Sequence, residues 1–309
     1  MSNKSLYKDL CDTEGSRIPL FLQHWWMEAV CAGKQWDVLL AYDKQGTISG
    51  ALPYLIGSKL GLRYVVQPQL TQFNGPWFRY PSDSLSHRER LNFEESVMNQ
   101  LLEGLKQLRL FFYQQNCAPE ITNWLPYHWK GYRQTTRYSY RINDISNLDA
   151  VYAAFRKRDR QAAIRRLQPC VHRIDTLSAT DFAHLHHRYW QSKGSKDLLP
   201  LDFIERVCNA AIVRQQGLLL GLADANNVLL GATFAAFDDR CAFSLLGAMN
   251  PDVDTRDVSE NLMWELLKEL THRTQAFDFE GSMDPHIEYF YRSFGAVQTP
   301  YFRIYKWMI

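Results

Sequence analysis

Apolar positions along this chain recur in an order that appears twice. The segment from Pro19 has helical spacing and leads into VLLAYDKQGTISGALPY, an apolar strand, a polar turn and a second strand. RYVVQPQL predicts a third strand. An amphipathic helix follows, its face marked by Phe93, Val97, Leu101, Leu105 and Leu108. LFFYQQ is a short strand, then a helix stops at Gly131 in the C′ role, and a last strand closes the unit. The second round runs from Pro200 through LLLGLADANNVLLGATFAAF, CAFSLLGAM, a helix marked by Leu262, Leu266, Leu267 and Leu270, AFDFEGS, a helix stopped at Gly295, and a closing strand. Both prolines suit a first helical turn, where the missing N–H costs nothing. Asp43 with Gly46, and Asn226 with Asn227, are turn residues that tolerate positive φ.

A shift of 181 positions aligns Pro19–Ala51 with Pro200–Ala232 without a gap. Eight of these 33 positions are identical, Asp43/Asp224 and Gly50/Gly231 among them, against roughly two expected from average residue usage. The ends agree at another offset, with Gly131/Gly295, Gln134/Gln298 and Thr135/Thr299 coinciding. Chance likeness between two helix–Gly–strand units is the competing reading. The second copy has a lead-in, a strand at VHRID and a helix over ATDFAHLHHRYWQSKG capped by Thr180. The polar NDISN stretch places the division there, giving domains 1–145 and 146–309.

The length of 309 residues agrees with about two domains. Hydrophobic residues at 46 % and charged residues at 22 % exclude a disordered chain. The longest apolar runs are too short to span a bilayer, and the start lacks the apolar core of a signal peptide. The 6 cysteines have no CxxC spacing and read as reduced thiols of a cytoplasmic protein. A net charge of +2 excludes a polybasic coat. The charge is unevenly placed: RKRDRQAAIRR from Arg156 holds six basic residues against one acid, while Asp224 to Glu288 holds 13 acids against four Lys or Arg.

The order β-α-α-β-β-β-α-β-α-β resembles the GNAT acyltransferase fold, and two such units in tandem resemble its FemAB-type branch. GALPY at Gly50, TQFNGPWF at Thr71, RKRDRQAAIRR and FDFEGSMDPHIEYFYRSFGA at Phe277 are similar to that family's recurrent segments, over about Pro19 to Lys306. The resemblance implies an α/β chain of two tandem GNAT-like domains, with mixed central sheets flanked by helices. It implies an N-acyltransferase with the transfer centre in the second domain and the acceptor in the cleft between domains. The expected donor is acyl-CoA, acetyl-CoA above all. The expected acceptor is an amine of a sugar, peptide or cell-surface glycan precursor. Two alternatives stay open: aminoacyl transfer from charged tRNA, and an inactive tandem that binds a ligand. The tRNA-using branch carries a helical-hairpin arm for which the short loops here leave no room. The usual Q/R-x-x-G-x-G/A pyrophosphate loop is replaced by MNPDVDTRDVSEN, without glycine.

Candidate residues follow. Asp278 and Glu280 alternate on FDFEGS and so share a face, which in a GNAT-like sheet borders the transfer cleft. An acceptor amine with a pKa of about 10.4 is mostly protonated at neutral pH, so a carboxylate base would help, and Glu280 is the candidate. Pairing with the basic helix is the alternative reading. Tyr291, with Tyr289, matches by position a GNAT tyrosine that protonates the leaving thiolate, or fills the core. Backbone N–H groups of CAFSLLGAM could polarise the acyl carbonyl.

Arg156, Arg160 and Arg165 offer forks for carboxylate or phosphate, or pair with the acidic half. Drifting apolar positions predict a break near Arg158 to Arg160. Ser259 and Asn261 lie where a CoA pyrophosphate would meet a helix N-terminus, or serve in N-capping. Asn74 and Trp77, in a loop the family tends to place at the interdomain cleft, are candidate acceptor contacts or turn and core residues. Ser282, beside Glu280, is a further substrate candidate. His184, His186 and His187 lack the ligand pattern of a metal site.

Overall fold

The computed structural model describes residues 2–196 and 198–308. Its elements run α1 (Asn3–Glu14), α2 (His24–Val30), β1 (Gln35–Tyr42), β2 (Ile48–Lys59), β3 (Leu62–Val66), β4 (Trp77–Phe78), α3 (His87–Gln107), β5 (Phe112–Asn116), α4 (Leu125–Trp129) and β6 (Arg133–Ile142). There follow α5 (Leu148–Ala154), α6 (Ala162–Leu167), β7 (Val171–Ile174), α7 (Ala179–Ser192), α8 (Leu201–Val213), β8 (Gly217–Asp224), β9 (Leu229–Phe237), β10 (Cys241–Met249), α9 (Val258–Leu270), β11 (Ala276–Asp278), α10 (Pro285–Arg292) and β12 (Val297–Trp307). They form two compact units, Met1–Arg137 with Pro300–Ile309, and Tyr138–Thr299.

Unit 1 orders its strands β1-β2-β3-β5-β12, with β4 added to β2. All pairs are antiparallel except β3 with β5. Unit 2 orders them β6-β11-β10-β9-β8-β7, all antiparallel except β10 with β11. In each unit the helix between the two parallel strands, α3 or α9, covers the core. Val97, Leu101 and Leu105 are buried on α3, and Leu262, Leu266, Leu267 and Leu270 on α9. A parallel pair requires such a crossover. The α3 start is a capping box: Ser86 Oγ accepts from the Glu89 N–H, and Glu89 accepts from the Ser86 N–H at 2.9 Å.

The aligned aspartates make the same turn. Asp43 Oδ1 accepts from the backbone N–H of Gln45 at 2.9 Å and Thr47 at 2.8 Å. Asp224 Oδ1 accepts from Asn226 and Val228, each at 2.9 Å. Gly46 and Asn227 take the positive φ that these turns need, 82° and 62°.

The chain passes from unit 1 to unit 2 inside β6 and returns inside β12. Arg141 and Ile142 of β6 pair with β11, and Arg303 to Trp307 of β12 pair with β5. Each closing strand thus ends in the unit that holds most of the other repeat.

Three local expectations are corrected. Pro19 precedes a single 3-10 turn, Leu20–Leu22, and α2 begins only at His24; the Gln23 side chain between them donates to the carbonyls of Gly15 and Ile18. The α7 cap is Ser178, whose Oγ accepts from the Asp181 N–H at 3.0 Å, and Thr180 lies inside the helix. The basic helix does break, slightly earlier than expected: Phe155 and Arg156 are extended, and a π-turn spans Lys157–Gln161 before α6. No helix among the described residues is long and apolar enough to cross a membrane.

Candidate active site

In unit 2 the parallel β10–β11 register ends at Phe243↔Asp278. Beyond that point β10 continues to Met249 without a β11 partner, and its register against β9 shifts between Ser244 and Leu246. Such a bulge leaves a residue out of the ladder and re-aims the strand. Two acidic side chains stand where the strands part.

Asp278, the last residue of β11, is fully buried. Its Oδ1 accepts from the Ser139 hydroxyl and, at 2.7 Å, from the backbone N–H of Glu280. Its Oδ2 lies 3.4 Å from Arg141 Nε, and the two residues are register partners across β6 and β11. A buried carboxylate requires such compensation, since an isolated charge in a protein interior is strongly disfavoured.

Glu280 does not share the face of Asp278 by strand alternation, as its sequence spacing had suggested. The strand ends at Asp278, and Glu280 is left-handed with φ 66°. Gly281 follows at φ 67°, and a Cβ there would stand 2.1 Å from the Tyr138 carbonyl oxygen. The turn therefore excludes any side chain at 281 and carries a non-glycine residue in a conformation that costs roughly 1–2 kcal/mol. Glu280 is half-buried, with Oε1 sealed from solvent. Burial first, and then the Asp278 carboxylate, pushes its carboxyl well above the usual range. A carboxyl so shifted is the stronger base once it loses its proton.

Tyr291 of α10 belongs to the same cluster. Its ring lies 5.1 Å from that of Phe279, and burial, followed by the charges of Glu280 and Asp278, pushes its hydroxyl up to about 12. It packs against the core, and its hydroxyl senses both carboxylates. Ser282 is a turn residue whose Oγ accepts from the Asp284 N–H at 3.0 Å.

The basic segment meets the acidic one. Arg160 donates to Glu260 and, at 2.7 Å, to Ser293 Oγ, with its guanidinium 4.4 Å from the Phe290 ring. Arg166 grips Asp257 through two bonds of 2.8 Å. Arg156 is exposed and bonded to Asp159 and the Tyr289 hydroxyl, and Arg165 is exposed with a 3.4 Å contact to Gln161. The Arg160 fork is committed to protein groups, so the expected role in gripping a substrate anion is corrected to that of an internal ion pair.

Asp257, in left-handed conformation, precedes α9, and its side chain makes no cap bond. Ser259 and Asn261 are therefore not caps. Ser259 Oγ donates to Glu260 at 2.8 Å, and the buried Asn261 amide donates to the carbonyls of Asp257 and Ala163. With Asp257 and Glu260 at its N-terminus and no glycine in the preceding loop, α9 does not fit a CoA pyrophosphate.

Asn74 and Trp77 lie in unit 1. Trp77 is 7 % exposed, pairs with Ala51 and donates its indole N–H to the Arg17 carbonyl at 3.1 Å. It has no open face for stacking on a sugar, which corrects that expectation. The backbone N–H groups of Asn74 and Gly75 both donate to the Asn116 carbonyl, and Asn74 is fully buried. Of the triple histidines, His186 is buried, which with nearby His187 pulls its ring down to about 4.

Sequence reasoning missed Ser139, Arg141 and Gly281. Ser139 and Arg141 alternate on one strand, a polar pair in the otherwise apolar and aromatic YSYRI, and that was the available signal.

No protein-family model and no curated protein matches the sequence. Among solved structures the chain is similar to FemX, with 11 % identity over 97 % of this chain and 95 % of that one, and a TM-score of 0.71. It is similar to the C-terminal domain of a putative lysylphosphatidylglycerol synthetase from Agrobacterium fabrum, with 9 % identity over 98 % and 92 % and a TM-score of 0.60. It is also similar to a tandem GNAT protein from the clavulanic acid biosynthesis pathway, with 10 % identity over 98 % and 94 % and a TM-score of 0.52. The chain has the FemAB-type tandem GNAT fold that its sequence resembled.

Proposed function

We propose that this protein transfers an acyl group to an amine, with Glu280 as the group that accepts the amine proton. The observation that carries the reading is the pair Asp278 and Glu280 at the point where β10 and β11 part. Asp278 is neutralised by Arg141, so the added charge on ionisation falls on Glu280. A neutral amine attacks the acyl carbonyl, its proton passes to the Glu280 carboxylate, and the carbonyl re-forms as the leaving group departs. N–H groups of β10 beyond Phe243 are candidates to polarise the carbonyl. The acceptor proposed is an amine of a sugar, peptide or cell-surface glycan precursor, in keeping with a cytoplasmic envelope or polysaccharide role.

Acyl-CoA is the donor the fold suggests, but the carboxylates at α9 argue against a pyrophosphate there. That same observation favours a second reading, aminoacyl transfer from charged tRNA, and FemX and lysylphosphatidylglycerol synthetase share the fold. The test is turnover of acetyl-CoA, and separately of charged tRNA, against a panel of amino sugars and lysine peptides. Turnover that is lost in Glu280→Gln while donor binding persists supports the reading. Unchanged turnover in Glu280→Gln removes Glu280 from the role. Saturable acceptor binding with no turnover from either donor would make the protein a binding module.

A further inference from the structure

Arg303 of β12 and Arg137 of β6 carry two positive charges in unit 1 that no acidic group among the described residues pairs with. Arg303 stands opposite Asn116 in the β5–β12 register, and its Nε donates to Asn116 Oδ1 at 3.2 Å. Arg137 is half-buried, and its Nε is sealed from solvent with no hydrogen-bond partner among the described residues. No ion pair joins either guanidinium to a carboxylate among the described residues. The strands that carry them, β12 and β6, are hydrogen-bonded neighbours in the sheet, and burial, and after it the charge of Arg137, lowers the Arg303 guanidinium from its ordinary value.

The surroundings are amides. Asn116 Nδ2 donates to the Gln72 carbonyl at 2.9 Å, and its backbone N–H donates to Gln67 Oε1 at 2.8 Å. Asn74, hydrogen-bonded through its backbone to Asn116, is fully buried, and its Nδ2 and Oδ1 have no partner among the described residues. Buried polar atoms in native proteins are nearly always bonded, and each exception asks for an explanation. A folded chain gains nothing from holding two half-buried cations close together without a counter-charge.

We infer that Arg137 and Arg303 form an oxyanion-binding pair in unit 1 for a carboxylate or phosphoryl group of a ligand, with the Asn116 amide orienting the Arg303 fork. Guanidinium forks suit such oxygens, and two of them give the bidentate geometry that a lone lysine lacks. The inference stands apart from the acyl-transfer reading, because its test reads binding and not turnover.

The experiment is a titration of arginine-15N-labelled full-length protein with inorganic phosphate, and separately with N-acetylglycine, following the Nε–H resonances. Saturable shifts of Arg137 and Arg303 are expected, with on the order of tenfold weaker binding in Arg137→Gln, the loss of a charge-assisted hydrogen bond. Response to phosphate alone assigns a phosphoryl ligand, and response to N-acetylglycine alone assigns a carboxylate. Without anion, Arg137→Gln should melt no lower than wild type, since it relieves repulsion; a merely structural arginine would lower the melting temperature. If Arg137→Gln does not fold, Arg303→Gln and Arg137→Lys serve, the lysine binding more weakly while keeping the charge. Absence of saturable shifts, or shifts undiminished in the variants, overturns the inference.

Discussion

Asp278 and Arg141 face each other across β6 and β11, 3.4 Å apart, although they come from opposite copies of the sequence repeat. Asp278 ends a strand of the second copy. Arg141 lies on the strand that closes the first copy and pairs within unit 2. Removing one member of a buried pair leaves the other uncompensated, at a cost of about 3–5 kcal/mol. Arg141→Met should therefore destabilise the protein by about that much in urea unfolding. The double variant Arg141→Met/Asp278→Asn should recover part of the loss. Equal loss in single and double variants would show that packing, not charge, holds Arg141.

The carboxyl of Glu280 gives stability a pH dependence of defined sign. Its folded-state pKa lies above its unfolded value of about 4.3. Across that interval the native state holds the proton more tightly than the unfolded chain, so stability falls as pH rises. This contribution is complete below about pH 4.3 and lost as pH climbs through the raised value. Glu280→Gln has no such proton and should flatten this part of the profile. Matching slopes for wild type and Glu280→Gln in unfolding experiments would sink the assignment.

His186 acts in the opposite direction. Burial and the neighbouring His187 pull its ring down to about 4, against about 6.5 in the unfolded chain. Between these values the unfolded chain binds the extra proton, so wild-type stability should fall as pH drops from about 6.5 toward about 4. His186→Gln should lack this slope, whatever its absolute stability. The check is a pair of thermal melts across that range.

The turn after β11 couples strain to the site. Gly281→Ala places a Cβ 2.1 Å from the Tyr138 carbonyl oxygen at φ 67°, so backbone must move. A loss of about 2 kcal/mol or more is expected. Glu280→Gly removes both the left-handed strain and the buried carboxyl, and should melt no lower than wild type. A Glu280→Gly protein clearly less stable than wild type would mean that the side chain holds the turn together.

The repeat, the element order and the buried faces of α3 and α9 were legible because amphipathic spacing and turn residues are local signals. The carboxylates of FDFEGS were legible as candidates for the same reason. What alternation could not give was the conformation of Glu280, since the strand ends two residues before it. Ser139 and Arg141 escaped because they lie 139 and 137 positions before Asp278 and reach it through strand pairing, not through nearness in sequence. Whether Arg160 was a free fork or an ion-pair partner stayed open because its acidic partner, Glu260, lies 100 positions away.

The twin turns test whether the repeat is physical. Asp43 and Asp224 are aligned identities, and each uses Oδ1 to accept two backbone N–H groups across a hairpin, β1–β2 in unit 1 and β8–β9 in unit 2. Neither turn is deeply buried, so water replaces part of each lost bond. Asp43→Ala and Asp224→Ala should each cost about 1 kcal/mol. The two sites lie in separate strand pairs, so the double variant should show the sum of the single losses if the protein unfolds as one cooperative body. A turn that tolerates alanine without loss in one copy, while the other copy pays the full cost, would show that the alignment matches sequence without matching the physical role of the side chain.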